Sequence, residues 1–119
     1  MKGNYKKEFT KNERIQQSSK LKEKNKGFIP VICEKDKKSD TKYIKTRYLL
    51  KREHTVSEFM NELTKRWELE SHEALFLNAN CKEQKIALVG NTNFGEIYDK
   101  YKDEDGFLYL VYSKEVVWG

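Results

Sequence analysis

The sequence predicts an α+β fold in which two helices pack on a mixed sheet, and three observations predict it. Apolar, strand-length runs stand at Phe28 to Cys33 and at Phe107 to Tyr112. Between them a capping box opens a helix whose apolar residues keep to one face. The order of elements is hairpin, helix, strand, short helix, strand, which one layer of helices over one sheet accommodates. The 119 residues suffice for one domain with a modest core, 1–119, and not for two. With 36% charged and 37% hydrophobic residues the chain is polar, but 13% aromatics is too many for a disordered tail.

From Lys6 to Lys26 no Pro or Gly interrupts the chain, and Phe9, Ile15 and Leu21 are spread thinly among charges. This reads as one or two short surface helices, an extension over 1–26 that Gly27 ends. Phe28-Ile29-Pro30-Val31-Ile32-Cys33 is β-branched and apolar, a first strand. Pro30 has no amide proton, so its ladder position is unpaired or faces a groove; an ordinary strand entry fits the spacing equally well. Residues 34–46 read as a solvated hairpin loop, with Arg47-Tyr48-Leu49-Leu50 as the return strand.

Thr55-Val56-Ser57-Glu58 is a capping box, in which Thr55 and Glu58 satisfy each other's orphan amides. Val56, Phe59, Met60, Leu63 and Trp67 then fall at offsets 0, 3, 4, 7 and 11, one face of a helix that packs on the sheet. Ala74 to Leu77 is a third strand, followed by a polar, mobile loop over Asn78 to Lys85 and a short apolar run to Val89. Asn93 with Glu96 three residues later caps a second helix, with Phe94, Ile97, Tyr98 and Tyr101 on one face. Asp103 to Gly106 is a turn, and Phe107 to Tyr112, apolar throughout, reads as a central strand buried on both faces. A free tail, 113–119, follows a core over 27–112. The pattern is a ubiquitin-like β-grasp, a mixed four-stranded sheet with two core helices and one face covered by the long helix.

Charge is divided along the chain. Residues 1–52 hold 17 Lys and Arg against 6 Asp and Glu, and residues 53–119 hold 7 against 13, so the halves carry +11 and −6. The basic half suits an anionic partner or a solvated surface with equal weight. Nucleic acid is the weaker candidate, because residues 1–27 offer only Tyr5 and Phe9 for stacking, and no specific nucleic-acid partner is expected. No apolar run approaches the roughly 18–20 residues of a membrane span, and Met1 to Lys7 lacks a signal's apolar segment, so a cytoplasmic location is expected. Cys33 and Cys81 have neither disulfide nor zinc spacing and read as free thiols.

Catalytic patterns are missing. His72-Glu73 begins a zinc-protease motif, but Phe76 stands where the second His belongs. Ser71, His72 and Glu73 are consecutive and point apart, so they form no relay. The glycines at 3, 27, 90, 95, 106 and 119 match no phosphate-binding loop. Neither an enzyme nor a bound cofactor is expected. What remains is a surface: the basic strand Thr46 to Lys51, whose unpaired backbone invites an extended peptide, or whose charges merely guard the edge.

Five stretches carry a resemblance. They are Ile29-Pro30-Val31-Ile32-Cys33-Glu34-Lys35, Arg47 to Leu50, Thr55 to Phe59, Glu73-Ala74-Leu75-Phe76, and Tyr101-Lys102-Asp103-Glu104-Asp105-Gly106-Phe107-Leu108-Tyr109. Over nearly its whole length the chain closely resembles the autophagy-related protein eight family of ubiquitin-like modifiers, which includes the GABA-receptor-associated and microtubule-associated light-chain proteins. The resemblance implies a ubiquitin-like core preceded by two N-terminal helices. It also implies conjugation of Gly119, in the pair Trp118-Gly119, to phosphatidylethanolamine, so that the protein sits on the autophagosome membrane when lipidated and is a monomer in solution. The implied partners are the activating and conjugating enzymes, a processing and delipidating cysteine protease, and cargo receptors or adaptors bearing aromatic-x-x-aliphatic motifs. By resemblance Gln17, Leu21, Pro30, Ile32, Arg47, Leu49 and Phe107 line the aromatic pocket. Tyr48, Leu50, Lys51, His54, Phe59 and Leu63 line the aliphatic one. Lys51 stands where the family usually has Pro, His54 where it often has an aliphatic residue, Gln17 replaces a common acid and Phe28 a common base. An unconjugated, soluble peptide-binding adaptor of the same fold is the alternative. The family's surface for ubiquitin-interacting-type helices is not carried over, because Leu77-Asn78 interrupts its aromatic run.

Overall fold

A computed structural model describes residues 4–36, 46–67 and 69–116, without the Trp67 side chain. Residues 37–45 of the expected hairpin loop, the Trp67 contribution to the helix face, and Trp118 and Gly119 lie outside the described residues. Two helices open the chain, α1 (Asn4–Glu8) and α2 (Lys11–Lys24), followed by β1 (Phe28–Lys35) and β2 (Arg47–Lys51). Then come α3 (Val56–Trp67), β3 (Glu73–Cys81), β4 (Gln84–Ala87), α4 (Phe94–Tyr101) and β5 (Leu108–Val116).

Local chemistry explains the helix starts. The Thr10 hydroxyl accepts from the Glu13 amide while the Glu13 carboxylate accepts from the Thr10 amide, a capping box that opens α2. The same exchange links Thr55 and Glu58 at α3, as expected from the sequence. Asn93 Oδ1 accepts from the Glu96 amide at 2.9 Å and caps α4.

The sheet runs β2-β1-β5-β3-β4, with β1 and β5 parallel and every other pair antiparallel. β5 is therefore the central strand, as its continuous apolar run predicts, and its residues from Leu108 to Ser113 are all buried. Five strands replace the expected four. The segment read as a mobile loop is a hairpin: β3 continues through Cys81, Lys82 and Glu83 turn with φ of 49° and 65°, and β4 returns. Two successive positive-φ residues are the geometry of a tight two-residue hairpin turn, here made without the usual Asn or Gly. The tail also begins later than expected, because Ser113 to Val116 pairs with Phe76 to Glu73. β1 likewise extends through Lys35, which is opposite Tyr112.

Pro30 is accommodated inside β1 although this strand has neighbours on both sides. The Cys33 amide donates toward β2, to the Thr46 carbonyl, and the Asp36 amide donates to Tyr112 on β5. Alternation then aims the Pro30 nitrogen toward the β5 side, where the ladder begins only at Val31 opposite Leu108.

Each face has its own core. On one, Ile29, Val31, Leu50, Leu108 and Leu110 pack beneath Val56, Phe59 and Leu63 of α3 and Phe94, Ile97 and Tyr98 of α4. On the other, a smaller cluster joins Tyr5 of α1 to Ile32, Phe107 and Tyr109, with Phe9 and Leu21 at its border. The N-terminal helices thus cover the face that the long amphipathic helix leaves open.

Candidate peptide-docking edge

β2 lies at one edge of the sheet, so among the described residues one side of its backbone has no strand beside it. Its side chains alternate between the two cores, as the pleat requires. Tyr48 and Leu50, opposite Val31 and Ile29, turn toward α3; Arg47 and Leu49, opposite Ile32 and Pro30, turn toward α2. The edge consequently presents one row of side chains toward α2 and one toward α3, the borders where the two grooves are expected.

Of the seven residues expected at the aromatic pocket, Leu21 packs on the cluster of Ile32 and Phe107, Gln17 bonds Tyr5 of that cluster, and Pro30, Arg47 and Leu49 share the face of Ile32 through the β1–β2 register. Ile32, Phe107 and Pro30 are buried, while Gln17, Leu21 and Leu49 are half-buried and Arg47 is exposed. The α2 side presents Arg14, Gln17, Ser18 and Leu21 at offsets 0, 3, 4 and 7, a stripe whose only aliphatic member is Leu21. Arg14 and Ser18 are the buried residues of this helix. Arg14 Nη1 meets Asp105 Oδ2 at 2.5 Å, and the fully buried Asp105 carboxylate also accepts from the Tyr109 hydroxyl and the Phe107 amide. The Ser18 hydroxyl donates to the Asp105 carbonyl. Two exposed-to-partial pairs continue this docking, Lys6 to Asp103 at 2.5 Å and Lys11 to Glu104 at 2.7 Å.

Tyr5, which the sequence did not single out, packs in the same cluster as Ile32 and Phe107. Its ring stands edge-on to Phe107 at 5.5 Å, its hydroxyl donates to Gln17 Oε1, and its backbone amide donates to the Glu34 carboxylate at 3.0 Å. Burial raises the Tyr5 pKa, opposed by Arg47. One tyrosine thereby ties α1 to α2, to β1 and to Phe107 just before β5. Its position near the N-terminus, amid lysines, gave no periodic signal.

Toward α3, Tyr48, Leu50, Phe59 and Leu63 come together as expected. Tyr48 stands edge-on to Phe59 at 5.4 Å, and burial pushes its phenol up to about 12. Lys51 does not join them: the two-residue period turns it to the α2 side, exposed beside Arg47 and Leu49. His54 lies at the rim, its ring stacked 6.4 Å from Phe94 and its Nε2 3.3 Å from Glu62. This groove has an ionisable margin in place of an aliphatic one. Lys20 and Lys24 on α2 and Lys51 on β2 are exposed, with no carboxylate partner among the described residues. A docked strand would meet cations around the first groove and the His54, Glu58 and Glu62 cluster at the second.

Cavities lie elsewhere too. Two of about 240 and 500 Å³ flank the segment Ile86 to Gly90, and a charged one of about 450 Å³ lies between α1, α2 and the β3–β4 turn. None of these includes an expected docking residue. Among the described residues no cluster suits a metal ion, Cys33 and Cys81 are unbridged, and no helix is long and apolar enough to cross a membrane.

The profile described as "Autophagy protein Atg8 ubiquitin like" matches residues 13–119. The chain belongs to the Atg8 family. Autophagy-related protein 8 of Candida glabrata is 36% identical over 120 residues, covering 100% of this chain and 98% of that protein. Autophagy-related protein 8h of Arabidopsis thaliana is 34% identical over 116 residues, covering 97% and 94%. The crystal structure of Trypanosoma brucei ATG8 superposes with a TM-score of 0.83 at 35% identity, covering 100% of both chains. Membership makes this a ubiquitin-like protein of autophagy, and the Atg8 fold accounts for both N-terminal helices and the central β5.

Proposed function

We propose that this chain is a ubiquitin-like modifier that is joined through Gly119 to phosphatidylethanolamine and recruits cargo receptors by strand addition at β2. The observation that carries the docking half is β2 at the edge of the described sheet, with Arg47 and Leu49 facing α2 beside the buried Ile32 and Phe107, and Tyr48 and Leu50 facing α3. An incoming aromatic side chain enters the α2 groove, an aliphatic one two spacers later enters the α3 groove, and acidic flanks meet the lysines. Conjugation is supported by a family match that runs through Trp118-Gly119. In that reaction the glycine carboxylate is adenylated, passes as a thioester along the activating and conjugating enzymes, and ends as an amide on the lipid amine. The lipid then supplies the membrane attachment that no described helix provides. A cysteine protease that processes and delipidates the modifier completes the expected partners.

Reconstitution with the activating and conjugating enzymes, ATP and phosphatidylethanolamine liposomes tests this. The expected result is a mass increase of one lipid that Gly119→Ala abolishes; a Gly119→Ala variant that still becomes membrane-bound overturns conjugation. For docking, Leu49→Ala and Arg47→Glu should each weaken binding of an aromatic-x-x-aliphatic peptide substantially, and unchanged calorimetric affinity in both contradicts the site. The polar margin at His54 favours a second reading, an unconjugated adaptor with its own motif preference. Peptide binding with no lipid adduct under cognate enzymes would select that reading.

A further inference from the structure

We propose that Arg14 and Asp105 are positioning residues for the aromatic groove, setting where α2 stands relative to β2; the inference rests on the docking reading above. Two of the groove's seven residues, Gln17 and Leu21, belong to α2, three and seven residues beyond Arg14 on the same stripe. A helix seated by aliphatic side chains can slide, because apolar burial has no preferred direction. This helix buries Arg14 and Ser18 instead.

Removing a guanidinium from water is costly unless a carboxylate meets it in good geometry. Asp105 meets it at 2.5 Å, with its own side chain 0% exposed. Asp105 is held in turn by the Phe107 amide at 2.9 Å and the Tyr109 hydroxyl at 2.5 Å, which tie the carboxylate to the start of the central strand. Arg14 Nε donates to the Phe9 carbonyl at 3.2 Å, so the same side chain also fixes the link between α1 and α2. Gly106, at φ +92°, lets the turn come this close: a Cβ there would stand 2.5 Å from the Ser18 hydroxyl.

Charge-assisted hydrogen bonds in a dry site are directional, and so they define one position for the helix. The position of Gln17 and Leu21, and with it the width of the groove, follows from that contact. Tyr5 adds a second hold on α2, its hydroxyl donating to Gln17 while its ring packs edge-on to Phe107. Neither Arg14 nor Asp105 is among the seven residues that line the groove.

The test compares the full chain with Arg14→Met, the near-isosteric Asp105→Asn, and Ser18→Ala, using Leu49→Ala as a variant of the groove itself. Two peptides are titrated by calorimetry, one with an aromatic-x-x-aliphatic motif and one with its aromatic replaced by alanine. Amide exchange is followed in α2, α3 and β3. The expected result is a Kd raised about tenfold for the aromatic peptide in Arg14→Met and Asp105→Asn, the scale of one lost anchor contact, and several-fold in Ser18→Ala. Affinity for the alanine peptide and exchange in α3 and β3 should stay as in the wild type. Wild-type affinity in all three variants overturns the proposal. So does an equal loss for both peptides with faster exchange throughout α3 and β3, which would mark general destabilisation. If Arg14→Met does not fold, Asp105→Asn and Ser18→Ala decide by the same criteria. A wild-type protein that does not distinguish the two peptides overturns the docking reading itself, and this inference with it.

Discussion

The two faces of this sheet are closed by different chemistry. Under α3 and α4, Phe59, Leu63, Phe94 and their neighbours interdigitate, with edge-on aromatic contacts such as Phe59 to Phe94 at 5.6 Å. Under α1 and α2 the apolar cluster is small, and α2 is seated by a buried ion pair and a hydroxyl. The first face distributes its stability over many contacts; the second concentrates it in a few groups at the Asp103 to Gly106 turn. β2 runs along the margin of both, so its two grooves inherit one wall from each kind of packing.

The largest test of this contrast is Phe59→Ala. A buried aromatic truncated to alanine should cost about 3–5 kcal/mol. Chemical denaturation should show one cooperative loss, with exchange protection falling on both faces of the sheet. Protection that fell on the α3 face alone would mean the faces unfold separately.

Gly106→Ala probes the second face. Its positive φ and the approach of Ser18 should make the substitution cost about 1–3 kcal/mol. Exchange should rise first in residues 11–24, while α3 stays protected. Equal acceleration in α3 would remove the distinction drawn here.

Acidification should act on the second face next. Burial pushes the Asp103 carboxyl up, but the Lys6 ammonium and the Asp105 amide more than offset this and hold it below its usual value. The Glu104 carboxyl is lowered by its bond to Lys11. Groups with a lowered folded pKa stabilise the native state above their unfolded pKa, and that contribution is lost as pH falls through the folded value. Lowering the pH from neutral through the carboxylate range should therefore loosen α1 before the sheet, visible as earlier broadening of the Tyr5 resonances. Loosening on raising the pH from 5 to 8 would contradict the assignment.

The smallest effect is expected at the far edge, where Lys82 and Glu83 occupy positive φ. Lys82→Asn with Glu83→Gly should stabilise by up to about 1 kcal/mol, read as a higher denaturation midpoint with unchanged peptide affinity. A change in affinity would connect this hairpin to the β2 edge, from which two strands, β1 and β5, separate it.

Where signals are local and repeated, the sequence was readable. Thr55 with Glu58, the apolar spacing of α3, Asn93 before α4, and the unbroken run of β5 each lie within a few residues and predicted their elements. The fifth strand escaped because Asn78 to Lys85 is polar and its turn lacks Gly or Asn. The end of β5 escaped because Ser113 to Val116 gains strand structure from pairing with β3, not from its own composition. Of the thirteen residues expected to dock a peptide, the strand register sets Lys51 on the α2 face with Arg47 and Leu49, away from Tyr48 and Leu50. Tyr5 and Arg14 went unread because each looks like part of a lysine-rich surface helix.

By itself the sequence determined the α+β class, the helix caps, the apolar faces, and the lack of catalytic and phosphate-binding patterns. All of these rest on interactions over one or two helical turns or on the two-residue strand period. The tertiary structure decided that β2 is an edge, that Lys51 turns from the α3 groove, and that Arg14 meets Asp105 across 91 positions of chain. The physical reason is that a buried charge acquires its partner only when strand order and register bring the two ends of the chain together, and no local spacing encodes that meeting.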